Sequence, residues 1–352
     1  MRRTIFSMIA SLGIATAAFG QNSTVDQQRV DHIQAVSADA IAYSQVQTSQ
    51  MESKIKVFGF AQFRWLYDSV SPTGSRMGFD VRKGVIGVEG EIADGWDFVL
   101  SGEWTPDNSF DLRDAYVSTN FSGIGFTVGR FRMPFMAEWQ VNEPQLLGND
   151  YSIIAYTFGQ GRSEGVQLSY DITDALKVLV SYNNGFEQPN ATLFNNDTWG
   201  FSGRVEWTGL ENIKIGGAVA YNNTNVDHNF NWTVDGNFDI TPEWFAFASY
   251  TGRSDDTNGD GWGILAQTGY KLYEDTTLFG QYEIGEFDGS NDLLSILSLG
   301  VTHMFASNVR WTNQAGYSFN GIDANWNVNQ TGWSNTSTDG QFLFTTQLTV
   351  SF

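Results

Sequence analysis

Apolar and polar residues alternate with a period of two from Ile55 to the end of the chain. The last segment shows the pattern most clearly, because every second position from Phe342 to Phe352 is apolar or threonine. Comparable runs lie at 96–104, 199–207, 213–221 and 230–240. An extended chain turns alternate side chains to opposite faces, so this period predicts many β-strands, each with an apolar and a polar face.

Two architectures produce such alternation: a soluble β-sandwich and a membrane-spanning β-barrel. Most runs contain about 9–13 residues, the length that a tilted strand needs to cross a bilayer. Tryptophans also mark the ends of individual runs, as Trp96 and Trp104 do for one and Trp199 and Trp207 for another. Aromatic side chains gather in this way at the two interfaces of a membrane barrel. The barrel is therefore the favoured interpretation.

The connections between the runs alternate in length. Tight turns, such as 93–95 and 241–242, alternate with longer polar loops, such as 187–197 and 320–340. Outer-membrane barrels have this asymmetry, with short periplasmic turns and long external loops. We therefore predict an all-β fold over 55–352, a transmembrane antiparallel β-barrel of about 16 strands around an aqueous channel. Its predicted location is the outer membrane of a Gram-negative-type cell envelope.

The N-terminal part of the chain lacks this alternation. Arg2 and Arg3 precede a short apolar run that ends in small residues before Gln21. Residues 1–20 are therefore predicted to be a cleaved signal peptide. Apolar positions in 21–54 follow a three–four spacing, which predicts a short periplasmic helical segment. A self-associating coiled coil and a loose polar linker both fit that segment.

Composition and charge exclude several classes of function. The chain has no cysteine, which excludes disulfides, thiol nucleophiles and cysteine-ligated metal sites. Its formal net charge of −20 argues against nucleic-acid binding, which needs a basic surface. The sequence contains no uninterrupted apolar run of about 18 residues, which excludes a helical membrane protein.

Several motifs cluster near the start of the predicted barrel. They are V-R-K-G-V-I-G-V-E-G at 81–90, L-R-D-A-Y-V at 112–117, V-G-R-F-R-M-P-F at 128–135 and G-V-Q-L at 165–168. The combination resembles the phosphate-selective porin O and P family. That resemblance implies a homotrimer of sixteen-stranded, general or anion-preferring porins with a loop folded into each pore. Residues 132–160, which contain Pro134 and Pro144 and break the alternation, are the expected inward loop.

In that family, arginines on the channel wall and lysines at the constriction give anion preference. The alternation here turns nearly equal numbers of basic and acidic side chains toward the lumen, and charged rings of mixed sign predict weak selectivity. Arg113 and Arg130 have the opposite parity and are expected at strand ends or bulges. The residues predicted to line the pore or its constriction are Arg64, Arg82, Asp114, Arg132, Glu138, Glu143 and Arg204.

One loop has the oxygen-ligand spacing of the first half of a calcium-binding loop. Its ligands would be Asp256, Asn258 and Asp260. The position of the usual bidentate glutamate is occupied by Gln267, and the flanking segments are predicted strands rather than helices. A weak Ca²⁺ site on an outer loop and a solvated hairpin remain the two interpretations, and no other cofactor is expected.

These patterns predict an outer-membrane porin through which ions and small hydrophilic solutes diffuse passively, with weak or anion-directed selectivity. Its predicted partners are two further copies of itself, outer-membrane lipid and small solutes, with no nucleic acid. The alternative is a structural anchor that links the membrane to the cell wall through 21–54. A hydrolase would need a serine–histidine–acid set, but His303 lies on an apolar strand face and His228 has no serine motif nearby.

Overall fold

Sixteen antiparallel strands form a closed barrel in the computed structural model of the chain. The structure describes residues 55–71, 74–105, 109–185, 198–223, 228–256, 259–290 and 292–352. The predicted fold class is therefore confirmed. The predictions of a signal peptide over 1–20 and of a helical or linker segment over 21–54 lie outside the described residues.

Each strand pairs with its neighbours in sequence, and the last strand pairs with the first. Closure gives every strand two hydrogen-bonded partners, as a sheet in lipid requires. The strands are β1 Ile55–Ser71, β2 Gly74–Ala93, β3 Trp96–Trp104, β4 Phe110–Phe121, β5 Ile124–Arg132, β6 Arg162–Thr173, β7 Leu176–Asn183, β8 Trp199–Leu210, β9 Ile213–Asn223, β10 His228–Asp239, β11 Trp244–Asp255, β12 Gly261–Tyr273, β13 Thr276–Phe287, β14 Leu294–Ala306, β15 Val309–Ser318 and β16 Gln341–Ser351.

The two ends of the barrel differ. Tight turns close the hairpins at one end of the barrel. They lie between β2 and β3, between β4 and β5, and between each later even-numbered strand and the strand that follows it. The opposite end carries the long connections, among them 133–161 between β5 and β6 and 319–340 between β15 and β16. We name these ends the turn end and the loop end, the first segment the inner loop and the second the terminal loop.

Alternation along each strand separates a lipid face from a luminal face. On β10, Val234 is 56% exposed on the outside, while its neighbours Thr233 and Asp235 are 1% and 3% exposed inside. The same division holds on β16, where Phe342 is exposed and Gln341 is buried. The apolar residues therefore coat the barrel and the polar residues line its interior, the reverse of a soluble protein.

The inner loop lies inside the barrel and contains three short helical turns. They are α1 Ala137–Gln140, a 3-10 turn Glu143–Gln145 and α2 Ile153–Phe158. Ser152 caps α2, because its Oγ accepts a hydrogen bond of 2.9 Å from the amide of Ala155. Within the described residues, no helix is both long and apolar enough to cross a membrane.

Apolar side chains of the inner loop pack against one side of the barrel wall. Ile154 and Phe158 from α2 are buried with Leu265 of β12, Phe287 of β13 and Leu294 of β14. Burial of such side chains stabilises the docked loop by about 1.5–3 kcal/mol for each fully buried residue. Part of the lumen is thus filled by a packed hydrophobic core.

Two register shifts change which residues face the lumen. Gln62 pairs with Lys83 while Phe63 pairs with Val81, so Arg82 is the extra residue of a β-bulge. Because a bulge shifts the alternation by one residue, Lys83 faces inward along with Arg82. Strict alternation assigns Lys83 to the lipid side, and the bulge is the physical reason that this assignment fails.

The second shift lies between β3 and β4. Ser101 pairs with Asp114 while Gly102 pairs with Leu112, which leaves Arg113 as the extra residue. Arg113 is 5% exposed, and it turns inward beside Asp114. Arg113 thus occupies the bulge that its parity predicts, but the burial of its side chain in the lumen does not follow from the sequence.

Substitution of Gly129 tests how tightly β4 and β5 approach. Gly129 has a φ of +128°, and a Cβ there would lie 2.2 Å from the carbonyl oxygen of Ala115. We expect Gly129→Ala to lower the free energy of unfolding by roughly 2–4 kcal/mol. The measurement is the temperature at which the folded barrel unfolds in detergent, read by electrophoresis.

Gly217→Ala on β9 is the matched control, since its Cβ would meet only the carbonyl oxygen of Thr233 at 3.5 Å. A midpoint shift of equal size in the two variants would contradict the steric explanation.

Candidate functional site

Glu143, in the 3-10 turn of the inner loop, is the centre of a cluster of ion pairs. Its Oε2 accepts a hydrogen bond of 2.6 Å from Nη2 of Arg113, and its Oε1 accepts one of 3.2 Å from Nζ of Lys83. Arg132 places its Nη2 4.0 Å from the same carboxylate. Burial opposes ionisation, but Lys83 and Arg113 outweigh it and hold the pKa of Glu143 well below its usual range.

Further carboxylates on the wall complete the cluster. Glu103 is 2.7 Å from Nη1 of Arg113 and 3.4 Å from Nζ of Lys83. Asp114 accepts a hydrogen bond of 2.8 Å from Nε of Arg162. Positive and negative side chains therefore alternate along this wall, and the cluster presents no large excess of either sign.

Arg82 anchors the inner loop to β2. Its Nε donates to Asp150 at 2.6 Å, and its Nη2 donates to the hydroxyl of Tyr156 at 2.8 Å. That hydroxyl donates in turn to Asp150 at 2.7 Å, which closes a ring of three groups. Burial and the neighbouring charge of Asp150 raise the pKa of Tyr156 well above its usual value, so the hydroxyl keeps its proton.

Arg204 holds the start of the inner loop against the opposite wall. Its Nη1 and Nη2 form a two-bond pair with Asp235 at 2.7 and 2.8 Å, and its Nε donates to Glu206 at 2.9 Å. The same guanidinium donates to the carbonyl oxygen of Phe135 at 2.6 Å. Because Arg204 is 1% exposed, it acts as an anchor for the loop backbone.

Arg310 of β15 holds the middle of the inner loop. It donates hydrogen bonds to the carbonyl oxygens of Pro144 at 2.9 Å, Leu147 at 2.9 Å and Gly148 at 3.1 Å. Charge-assisted bonds of this kind are about twice as strong as neutral ones. The loop is therefore fixed from three sides of the wall, by Arg82, Arg204 and Arg310.

Glu138 lies under the inner loop. Its carboxylate accepts hydrogen bonds from Ser152, at 2.5 Å from the hydroxyl and 3.1 Å from the amide, and one of 3.3 Å from Gln267. Burial raises the pKa of Glu138 to about 8, although the bonds from Ser152 oppose the shift, and the charge of Glu283 adds to it. Glu283 itself accepts a hydrogen bond from the amide of Ile154, at 3.1 Å.

Arg64 lies nearer the loop end of the barrel. Its Nε and Nη2 pair with Asp80 at 3.1 and 2.6 Å, and its Nη1 donates to the carbonyl oxygen of Gln330 at 3.0 Å. It makes no recorded contact with the inner loop among the described residues. Its partner is the terminal loop instead.

Three cavities surround these groups. The first, of about 740 Å³, opens at the loop end and is lined by Arg64, Asp80 and Gln330, among others. The second, of about 510 Å³, contains the cluster around Glu143. The third, of about 490 Å³, lies on the turn-end side of the inner loop, beside Glu138. Open space therefore lies on both sides of the inner loop.

The structure groups the predicted site residues only in part. Glu143, Arg132 and Asp114 belong to one cluster, which Arg82 supports from behind through Asp150. Arg64, Glu138 and Arg204 lie at three other places in the barrel. Arg82 and Arg204, at 0% and 1% exposure, are buried anchors rather than exposed wall residues.

Four residues of the cluster are not among those predicted from the sequence: Lys83, Glu103, Arg113 and Arg162. Lys83 and Arg113 escaped because of the two bulges. Arg162 directly follows the inner loop and pairs in register with Arg132, so its place at the first position of β6 was the available signal. Glu103 had luminal parity but no partner that could be identified from the sequence.

The proposed calcium loop is described only in part. Asp260 accepts hydrogen bonds from the hydroxyl of Ser254 at 2.8 Å and from the amide of Asp255 at 3.3 Å. Asn258 lies outside the described residues. Over the part of the chain that is described, no group of three or more acidic, histidine or cysteine side chains is arranged to hold a metal ion. The Ca²⁺ site at Asp256, Asn258 and Asp260 remains a prediction.

Comparison with known proteins relates this barrel to porins. Residues 13–325 match the family model described as Gram-negative porin. No single curated protein sequence matches the chain significantly. The phosphate-selective O and P family suggested by the sequence motifs is not confirmed by this match, which supports the broader group.

Solved structures with the same fold include an anion-selective porin from Comamonas acidovorans, with a TM-score of 0.68 and 13% identity, covering 85% of this chain and 99% of that chain. OmpF of Salmonella typhi, in complex with daunomycin, has a TM-score of 0.63 and 14% identity over 85% and 97% of the two chains. OmpT of Vibrio cholerae in a trimer form has a TM-score of 0.59 and 16% identity over 85% and 99%. At such low identity, the likeness establishes the fold alone.

The raised pKa of Glu138 predicts a pH-dependent stability. In the folded barrel its pKa is about 8, against an ordinary value of 4.5, so folding favours the protonated carboxyl. The stabilisation is complete below pH 4.5 and is lost as the pH rises through 8, at a rate of about 1.4 kcal/mol per pH unit between them. We expect the thermal midpoint in detergent to fall between pH 6 and pH 9 and to fall much less in Glu138→Gln.

Glu143→Gln is the comparison variant in the same loop. Removal of the carboxylate between Lys83 and Arg113 leaves buried cations unpaired, which costs about 3–5 kcal/mol at both pH values. If Glu138→Gln keeps the pH slope of the wild type, Glu138 is not the titrating group.

Proposed function

The chain belongs to the Gram-negative porin family of outer-membrane proteins, and we propose that it forms a water-filled channel for passive diffusion of ions and small hydrophilic solutes. The observation that carries this proposal is the open space on both sides of the inner loop, with charged and polar side chains among the residues that line each cavity. A sixteen-stranded barrel is wide enough to contain an aqueous path beside a docked loop.

The channel is weakly selective. Charge selectivity in a pore depends on rings of side chains with a net sign. In the cluster around Glu143, the four cations Lys83, Arg113, Arg132 and Arg162 lie among the three carboxylates Glu143, Glu103 and Asp114, which leaves an excess of only one positive charge. An ion that passes therefore meets both signs within a few ångströms, which lowers the barrier for cations and anions alike.

Phosphate selectivity has less support than weak selectivity. A dedicated phosphate site needs guanidinium donors that are available for two-bond recognition. Arg113 directs Nη1 to Glu103 and Nη2 to Glu143, and Arg162 directs Nε and Nη2 to Asp114. A phosphate ion would have to displace these carboxylates, so we place phosphate among the permeant anions rather than as the specific substrate.

The active form is a homotrimer. The family relationship and the trimer form recorded for OmpT of Vibrio cholerae support this assembly. Each barrel contains its own inner loop and its own cavities, so each subunit conducts separately. Small solutes and lipid are the other partners.

Neither alternative function gains support from the barrel. An anchor that acts through 21–54 has no need of cavities on both sides of an inner loop. A hydrolase would need a catalytic histidine. The Nδ1 atom of His303 lies 2.9 Å from the hydroxyl of Thr276 and 3.8 Å from the carboxylate of Asp275, so both groups face the same ring nitrogen. A catalytic histidine places its nucleophile and its acid on different nitrogens, so this arrangement does not form a relay.

Conductance across a planar bilayer tests the proposal. We expect the purified protein to give conductance steps in groups of three, with a reversal potential close to zero in a KCl gradient. Failure of the protein to conduct would contradict the channel, and a strongly anion-selective reversal potential would contradict the weak selectivity.

Glu143→Gln tests whether the cluster faces the ions. At pH 6 the variant removes one negative charge, so the chloride-to-potassium permeability ratio should rise by about twofold. Glu138→Gln is the charge-matched control, because the carboxyl of Glu138, with a pKa of about 8, is already neutral at pH 6. An unchanged ratio in Glu143→Gln would place the cluster outside the ion path.

A further inference from the structure

The terminal loop, residues 319–340, folds down into the mouth of the barrel. Trp326 is 1% exposed, and its ring lies 5.9 Å from that of Phe158 and 4.9 Å from that of Phe287. Ile322 and Trp333 are buried in the same hydrophobic core. A solvated surface loop would leave such side chains in water, so burial fixes this loop inside the barrel.

Hydrogen bonds join the terminal loop directly to the inner loop. The amide of Asn327 donates to Oγ1 of Thr157 at 3.0 Å, and its Nδ2 donates to the carbonyl oxygen of Tyr156 at 3.2 Å. The loop is also ordered within itself, because Ile322 and Thr336 form an antiparallel bridge. The two loops are therefore in direct contact inside the barrel.

A group of polar contacts holds the terminal loop to the first hairpin of the barrel. Arg64 donates to the carbonyl oxygen of Gln330 at 3.0 Å, and Arg76 donates to that of Gly332 at 2.7 Å. Asp68, which is 0% exposed, accepts hydrogen bonds from Ser334 at 2.8 Å and from Arg76 at 3.2 Å. These contacts fix the backbone of the loop at its tip rather than only at its ends.

The tip of the terminal loop borders two of the cavities in the lumen. Asn329 and Gln330 line both the cavity of about 740 Å³ and the cavity of about 510 Å³. Gln330 has a φ of +71°, a left-handed conformation that is unfavourable for a residue with a side chain. Strained residues of this kind persist where the surrounding structure holds them, as the bond from Arg64 does here.

We propose that the terminal loop is a second constriction of the channel, in series with the inner loop, and that Asn329 and Gln330 at its tip set the size limit for solutes. This proposal rests on the proposed channel function. The tip presents amides rather than charged groups, so it filters by size and hydrogen bonding. Size exclusion and charge selectivity are then separate properties, one set by the terminal loop and the other by the cluster around Glu143.

Thiol labelling tests the position of the tip. The chain has no cysteine, so Asn329→Cys carries a unique thiol. We expect a bulky neutral methanethiosulfonate reagent to reduce the conductance of this variant to roughly half. Thr338→Cys is the matched control, since Thr338 is exposed on the same loop and lines neither cavity.

Unchanged conductance in Asn329→Cys after labelling, with the adduct verified by mass spectrometry, would overturn the second constriction. An unlabelled wild type that does not conduct would instead overturn the channel itself.

Trp326→Ala tests the packing that holds the loop without any change of charge. For proteoliposomes with this variant, we expect the ratio of the swelling rate in a trisaccharide to that in a monosaccharide to be about twofold higher than for the wild type. The reversal potential should be unchanged. Trp326→Phe should restore the wild-type ratio, because it keeps an aromatic ring beside Phe158 and Phe287. Cleavage by added protease shows separately whether the loop has loosened. If protease cleaves the loop in Trp326→Ala and the ratio of swelling rates still equals that of the wild type, the proposal is contradicted.

Discussion

Closure of the backbone hydrogen bonds is the constraint on which the rest of this molecule depends. In hydrocarbon, an unpaired backbone amide or carbonyl costs several kcal/mol, so the sheet pairs β16 with β1 and leaves its apolar side chains to the lipid. The interior is then a wide polar tube that strand residues alone do not fill. The inner loop and the terminal loop fill part of that tube and leave separate cavities beside them. Buried arginines on the wall hold the inner loop in place through hydrogen bonds, as Arg82, Arg204 and Arg310 do.

Charge in this barrel has two uses that are easily confused. Arg204 with Asp235 is an internal pair whose role is to position the backbone of Phe135. Glu143 with Lys83 and Arg113 is also buried, but it borders a cavity and so sets the local potential that a passing ion meets. The formal charge of the whole chain, −20, describes neither of them. In the proposed channel, selectivity depends on the few charged groups that border the cavities.

Much of the fold could be predicted from the sequence, because alternation acts locally and repeats in every strand. The luminal places of Arg64 and Arg204 follow from the same parity. The inward positions of Lys83 and Arg113 do not, since each depends on a bulge that is stabilised by a carboxylate from a distant loop, Glu143. The inward fold of the terminal loop could not be predicted from the sequence either. Its sequence is rich in asparagine, threonine and serine, and its two tryptophans, Trp326 and Trp333, become informative only once Phe158 and Phe287 are known to lie beneath.

The inner loop also joins parts of the wall that lie far apart in the chain. Asn149 bonds to Thr345, 196 residues later in the chain, and Ile154 bonds to Glu283, 129 residues later. Through Arg82 the same loop is bonded to β2, near the start of the barrel. The segment that narrows the lumen is therefore also a link between strands that are not neighbours in the sheet, and a change that detaches it removes a connection across the barrel as well as an obstruction within it.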